Sequence, residues 1–73
     1  MIKSNQTNDY KLMLKRLKSA RVEAGLSQKE VANILKNHQS YVSKIESGER
    51  RIDIIEIKKL SVIYKKTIDY FVS

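Results

Sequence analysis

Two stretches of the chain mark helix starts by the same chemistry. Ser27-Gln28-Lys29-Glu30 and Asp53-Ile54-Ile55-Glu56 each place a short oxygen-bearing side chain three residues before a glutamate. In that arrangement the first side chain accepts from the glutamate's backbone N–H. The glutamate in turn reaches back to the first residue's N–H, so two otherwise orphaned donors are satisfied together. Apolar residues flank both signatures where a hydrophobic staple packs, Leu26 with Val31 and Ile52 with Ile57. One helix therefore starts at Gln28 and another just after Asp53.

With no proline and two glycines in 73 residues, little interrupts regular structure elsewhere. Tyr10, Met13, Leu14, Leu17, Ala20 or Arg21, and Ala24 recur at helical spacing with lysines on the other face, and Gly25 stops that first helix. The second helix, about two turns long, turns Val31, Ala32, Ile34 and Leu35 inward. Lys36-Asn37-His38 then breaks the pattern, and Val42 with Ile45 carries a third helix over residues 39–47, ended by Gly48. Ile57, Leu60, Ser61 and Tyr64 form the stripe of the fourth, with Ile54, Ile55 and Ile63 adding apolar surface beyond one face. Thr67 caps a short fifth helix over 68–72, with Asp69 in its first turn. No stretch alternates like a strand between hairpin turns. The expected fold is all-α, a compact five-helix domain over residues 10–73 behind a flexible lead-in at residues 1–9.

Composition narrows the function classes. There is no cysteine, so neither a disulfide nor a thiolate zinc site is available, and His38 is the single histidine, without neighbouring carboxylates. Capping accounts for Ser27, and no base lies near it in sequence. No catalytic residue, metal or cofactor is expected, and the chain is not read as an enzyme. The N-terminal residues lack an apolar signal region and no run approaches the roughly 18 apolar residues of a membrane span, which points to a cytoplasmic protein with no membrane partner. Fifteen Lys and Arg against eight Asp and Glu give a net charge of +7, a field that attracts polyanions, nucleic acid first. The charge is uneven: Lys11, Lys15, Arg16, Lys18 and Arg21 face only Glu23 within residues 10–24.

Two short helices joined by a few residues have the layout of a helix-turn-helix. If Val31, Ala32, Leu35, Val42 and Ile45 pack the pair onto the domain, the third helix presents Gln39, Ser40, Ser43, Lys44 and Ser47 outward. Gln39 can bond adenine N6 and N7 together, and Lys44 can reach guanine O6 and N7. Arg50 and Arg51 follow in a loop, where Arg51 is expected to meet phosphate. Tyr41 either packs its ring beside the second helix or offers its hydroxyl to a phosphate. His38 is expected to cap the third helix or lie near phosphate.

Leu26-Ser27-Gln28-Lys29-Glu30-Val31-Ala32, followed by Gln39-Ser40-Tyr41-Val42-Ser43-Lys44-Ile45-Glu46-Ser47-Gly48-Glu49-Arg50-Arg51, resembles the helix-turn-helix of phage lambda repressor and Cro-type regulators, the xenobiotic response element family. The resemblance extends over roughly residues 10–72. It implies a five-helix, lambda-repressor-like DNA-binding domain acting as a symmetric dimer on a near-palindromic operator. It further implies that Gln28 contacts phosphate and braces the first residues of the third helix. Gln39, Ser40, Ser43 and Lys44 would face bases, Ser47 and Arg51 would lie near phosphates, and Arg21 would pair internally with Glu46. The chain departs from the family in the turn, where Lys36 stands at a position commonly glycine and His38 at one commonly serine, threonine or proline. Either Lys36 or Asn37 must take the left-handed backbone conformation there.

Aromatic and aliphatic side chains gather at the C-terminal end. Core filling explains Ile68 and Phe71; Tyr64, Tyr70, Phe71 and Val72, with Ile54 or Ile55, are the expected two-fold contact, Phe71 standing in both sets. The function expected is sequence-specific binding of double-stranded DNA as a homodimer on an inverted repeat, repressing transcription by covering a promoter, with RNA polymerase a further partner if the regulator activates. The alternatives are an antitoxin that binds its own operator and a toxin protein, and a protein-interaction module that no longer reads DNA.

Overall fold

The computed structural model describes residues 7–73 and contains five helices: α1 (Asn8–Glu23), α2 (Gln28–Ile34), α3 (Gln39–Ser47), α4 (Ile54–Tyr64) and α5 (Ile68–Val72). Most of the expected lead-in, residues 1–6, lies outside the described residues. Helix α1 starts two residues before the first apolar position of its stripe. Thr7 accepts the Tyr10 N–H at 3.2 Å, and Asp9 sits in the first turn, where the helix dipole favours negative charge. Asn8 and Asp9 carry no apolar signal, which is why periodicity alone begins at Tyr10.

Both capping boxes close. Glu30 N–H donates to Ser27 Oγ at 3.0 Å and Ser27 N–H to Glu30 Oε1 at 2.8 Å. Glu56 N–H donates to Asp53 Oδ1 at 2.8 Å and Asp53 N–H to Glu56 Oε1 at 2.9 Å. Hydrogen bonding to the Ser27 backbone, then to its side chain, holds the Glu30 carboxyl below its ordinary pKa. The third helix starts differently: His38 occupies the cap position but its side chain caps nothing, so the expected capping role is not realised.

The turn between α2 and α3 resolves in favour of Lys36, which adopts φ 55°. Its N–H donates to the Asn33 carbonyl at 3.1 Å and the Asn37 N–H to the Ala32 carbonyl at 2.9 Å, the paired bonds of a Schellman ending. Helix α4 ends the same way with Lys65 at φ 57°, the Lys66 N–H reaching the Ser61 carbonyl at 2.9 Å. After α3 the left-handed residue is Gly48, where a Cβ would come within 3.2 Å of Leu14 Cδ1 as well as strain the backbone.

Helix α1 is the organising element, packed against α3, α4 and α5, while α2 packs chiefly on α3. Leu17, Ala20, Val31, Ala32, Val42, Ile45 and Phe71 are almost wholly shielded. Each large side chain among them contributes about 1.5–3 kcal/mol by leaving water. Ala20 and Ala32 are small and buried, and α3 packs on both α1 and α2. Three expectations require correction. Ile34, expected to point inward, is 54 % exposed, because the inner face of α2 is already set by Val31, Ala32 and the half-buried Leu35. Tyr64 and Phe71, expected at a dimer contact, are buried within the subunit, where the five-residue α5 packs back onto α1 and α4.

A lysine in the left-handed region costs about 1–2 kcal/mol, partly offset because glycine loses more backbone freedom on folding. Lys36→Gly is accordingly expected to stabilise the domain by roughly 0.5–1 kcal/mol and raise Tm by about 2–6 °C in thermal unfolding. A fall in Tm would mean that the lysine side chain itself supports the turn.

Candidate nucleic-acid interface

Helix α3 is pinned from behind. Val42 and Ile45 sink into the core, while Gln39, Ser40, Lys44 and Ser47 are exposed and Ser43 is half-buried along the opposite side. Among the described residues the other four helices each carry an acidic side chain in the first turn; α3 carries none. Its positive dipole end is thus neither capped by a side chain nor neutralised, and the hydrophilic side adds one cation, Lys44, and neutral hydrogen-bonding groups.

The orientation of α3 is fixed by a shielded ion pair. Arg21 Nε meets Glu46 Oε2 at 2.7 Å and Arg21 Nη2 meets Glu46 Oε1 at 3.1 Å, with the two side chains 10 % and 7 % exposed. Arg21 Nη1 donates to the Leu26 carbonyl at 2.9 Å and Gln28 Nε2 donates to Glu46 Oε1 at 3.0 Å. The hydrogen bond to Glu46 outweighs burial and raises the Arg21 pKa, so its charge is fixed. Arg21 is therefore occupied inside the subunit. Gln28 was expected to brace the first residues of α3; it instead holds Glu46, near the helix's far end.

A second polar cluster lies where α3 meets the start of α4. Glu56 Oε2 accepts from the Tyr41 hydroxyl and from Arg50 Nη1, the latter at 2.8 Å. The Arg50 guanidinium stacks over the Tyr41 ring at 4.8 Å from its centroid. Burial opposes the Glu56 charge, but the bonds from Tyr41, the Asp53 backbone and Arg50 prevail and lower its pKa. Burial, then the bond to Glu56, pushes the Tyr41 hydroxyl up to about 12. The phosphate role expected for Tyr41 thus meets a correction: its single donor proton is directed to Glu56. Spacing gave no signal for this cluster, since Glu56 is explained at the sequence level by capping alone.

Past α3, Ser47 Oγ lies 3.2 Å from the Lys44 carbonyl and 3.4 Å from Glu49 Oε2. Arg51 is exposed, with its guanidinium 5.4 Å from the Tyr10 ring centroid. The Tyr10 hydroxyl accepts the Ile52 N–H at 2.9 Å, tying this loop to α1. Lys11, Lys15 and Lys18 are exposed along α1. Among the described residues there is no His, Asp and Glu cluster suited to a metal ion, and no helix long and apolar enough to cross a membrane.

A family model described as helix-turn-helix matches residues 17–71, from the middle of α1 into α5. No curated protein and no solved structure matches the chain.

Removing one partner of a shielded ion pair strands the other charge, at a cost of about 3–5 kcal/mol. Arg21→Ala and Glu46→Ala are each expected to destabilise the domain by that order in urea unfolding. Arg21→Met combined with Glu46→Leu is expected to recover much of the loss. A double variant as unstable as the sum of the single losses would show that the fold requires the charges themselves.

Proposed function

The chain belongs to the Cro-type helix-turn-helix family of DNA-binding regulators, and on that premise we propose that it is a sequence-specific transcriptional repressor acting as a homodimer on an inverted-repeat operator. The observation that carries this reading is the exposed hydrophilic side of α3, held outward by a buried opposite side and lacking any first-turn acid. Gln39, Ser40, Ser43 and Lys44 are the proposed base readers, Gln39 toward adenine and Lys44 toward guanine. Ser47 and Arg51 are proposed to meet phosphates and fix register. Gln28 joins them only if its amide leaves Glu46 or uses its second N–H.

Dimerisation rests on surface and size. With Tyr64 and Phe71 in the core, the proposed contact falls to the half-buried Tyr70 and the exposed Val72, Ile54 and Ile55. One copy measures 36 × 24 × 20 Å, dimensions that let two copies side by side enter successive major grooves about 34 Å apart. Two modules also gain effective concentration that one module, burying about 600–1,000 Å² on DNA, lacks. Repression follows from occupying a promoter, in a protein at home in the cytoplasm. No enzymatic step enters this reading.

Selection of bound sites from a random oligonucleotide pool tests the proposal. An enriched inverted repeat with half-sites one helical turn apart is expected; failure to enrich any sequence would sink it. On the selected site, Gln39→Ala is expected to cost about 1–3 kcal/mol at particular base positions, while Arg51→Ala weakens all sequences alike and flattens the salt dependence. Equal loss on selected and random duplexes for Gln39→Ala would remove Gln39 from the readers.

A further inference from the structure

Arg50 lies in the loop directly after α3, beside Arg51 and stacked on Tyr41 of that helix, so its cation is at the edge of the proposed DNA-facing side. On charge alone it should be a phosphate contact. Its guanidinium is nevertheless engaged within the subunit. Nη1 meets Glu56 Oε2 at 2.8 Å and also donates to the Arg51 carbonyl at 3.2 Å. The Glu56 side chain is only 14 % exposed, and its other oxygen is fixed by the Asp53 N–H, whereas the Arg50 side chain is 44 % exposed. The acid is the anchored partner and the arginine the half-free one.

We propose that Glu56 is a positioning residue that withholds Arg50 from the DNA backbone and so sets how many phosphates each subunit neutralises. The proposal rests on the DNA-binding reading above and deepens it. Glu56 accepts from Tyr41 and Arg50 through one oxygen while the other closes the α4 cap, so the carboxylate stays in place when DNA approaches. To reach a phosphate, Arg50 must give up a charge-assisted bond and its stacking on Tyr41 together. Arg51 beside it is exposed, with its guanidinium over the Tyr10 ring rather than on Glu56 or Tyr41.

The salt dependence of binding to the selected duplex decides this, because each phosphate neutralised by a subunit adds about 0.9 to the slope of log K against log salt. Arg50→Ala in the otherwise unchanged protein is expected to leave the slope as it is. Glu56→Gln keeps an amide that can still close the α4 cap, and it is expected to steepen the slope by about 0.9 per subunit. It should also tighten binding to all sequences, on the order of fivefold per subunit at 0.1 M salt. Arg50→Ala added to Glu56→Gln is expected to return the slope to its starting value. A slope lowered equally by Arg50→Ala in both backgrounds would overturn the proposal, since Arg50 would then already be on phosphate. So would an unchanged slope in Glu56→Gln with its helical content intact. If the unaltered protein shows no salt-dependent duplex binding, the DNA-binding reading itself fails and takes the proposal with it.

Discussion

The shielded pair of Arg21 and Glu46 is the interaction on which the architecture turns. A guanidinium is a rigid planar fork, and here its donors are spent on two carboxylate oxygens and the Leu26 carbonyl. One side chain of α1 thereby fixes the end of α3 and the backbone entering α2. Gln28 adds a bond from α2 to the same carboxylate. The helix pair is thus oriented by directional bonds on one side and by the packing of Val31, Ala32, Val42 and Ile45 on the other. Such a pair contributes little net stability after desolvation. What it supplies is orientation, and a helix that reads a groove needs its angle fixed more than it needs extra stability.

That constraint explains the division of labour among the cations. Arg21 faces inward, Arg50 is held at the junction of α3 and α4, Arg16 donates to the Ser73 carbonyl, and Lys66 pairs with Glu23 at 3.1 Å. The net charge of +7 therefore overstates how many side chains stand ready for a polyanion. Lys44 and Arg51 remain exposed near α3, and Lys11, Lys15 and Lys18 along α1. The field of the whole molecule draws DNA in, and a few groups decide where it rests.

Local chemistry made most of this fold legible in the sequence. Ser27 with Glu30 and Asp53 with Glu56 located two helix starts because capping is a contact between near neighbours. Gly25 and Gly48 located two ends because positive φ is a property of single residues. The outward side of α3 followed from the inward placement of Val42 and Ile45. What escaped was long-range. Local pattern leaves Phe71 open to both the core and a two-fold contact, since much of what buries it is α1, remote in sequence, beside the neighbouring α4. The Tyr41–Glu56–Arg50 cluster joins residues 15 apart through an acid already explained by its own helix. The ion pair of Arg21 with Glu46 entered only through family resemblance, because charge by itself assigns Arg21 equally well to phosphate.

Backbone amide shifts of the labelled protein, followed by NMR as a duplex containing the selected site is added, test most directly whether the hydrophilic side of α3 is the reading surface. The account predicts that the largest changes fall on residues 39–47 and the loop through Arg51, with the outer side of α4 at Lys58, Lys59 and Val62 unmoved. Changes centred on that outer side of α4, with α3 silent, would contradict it.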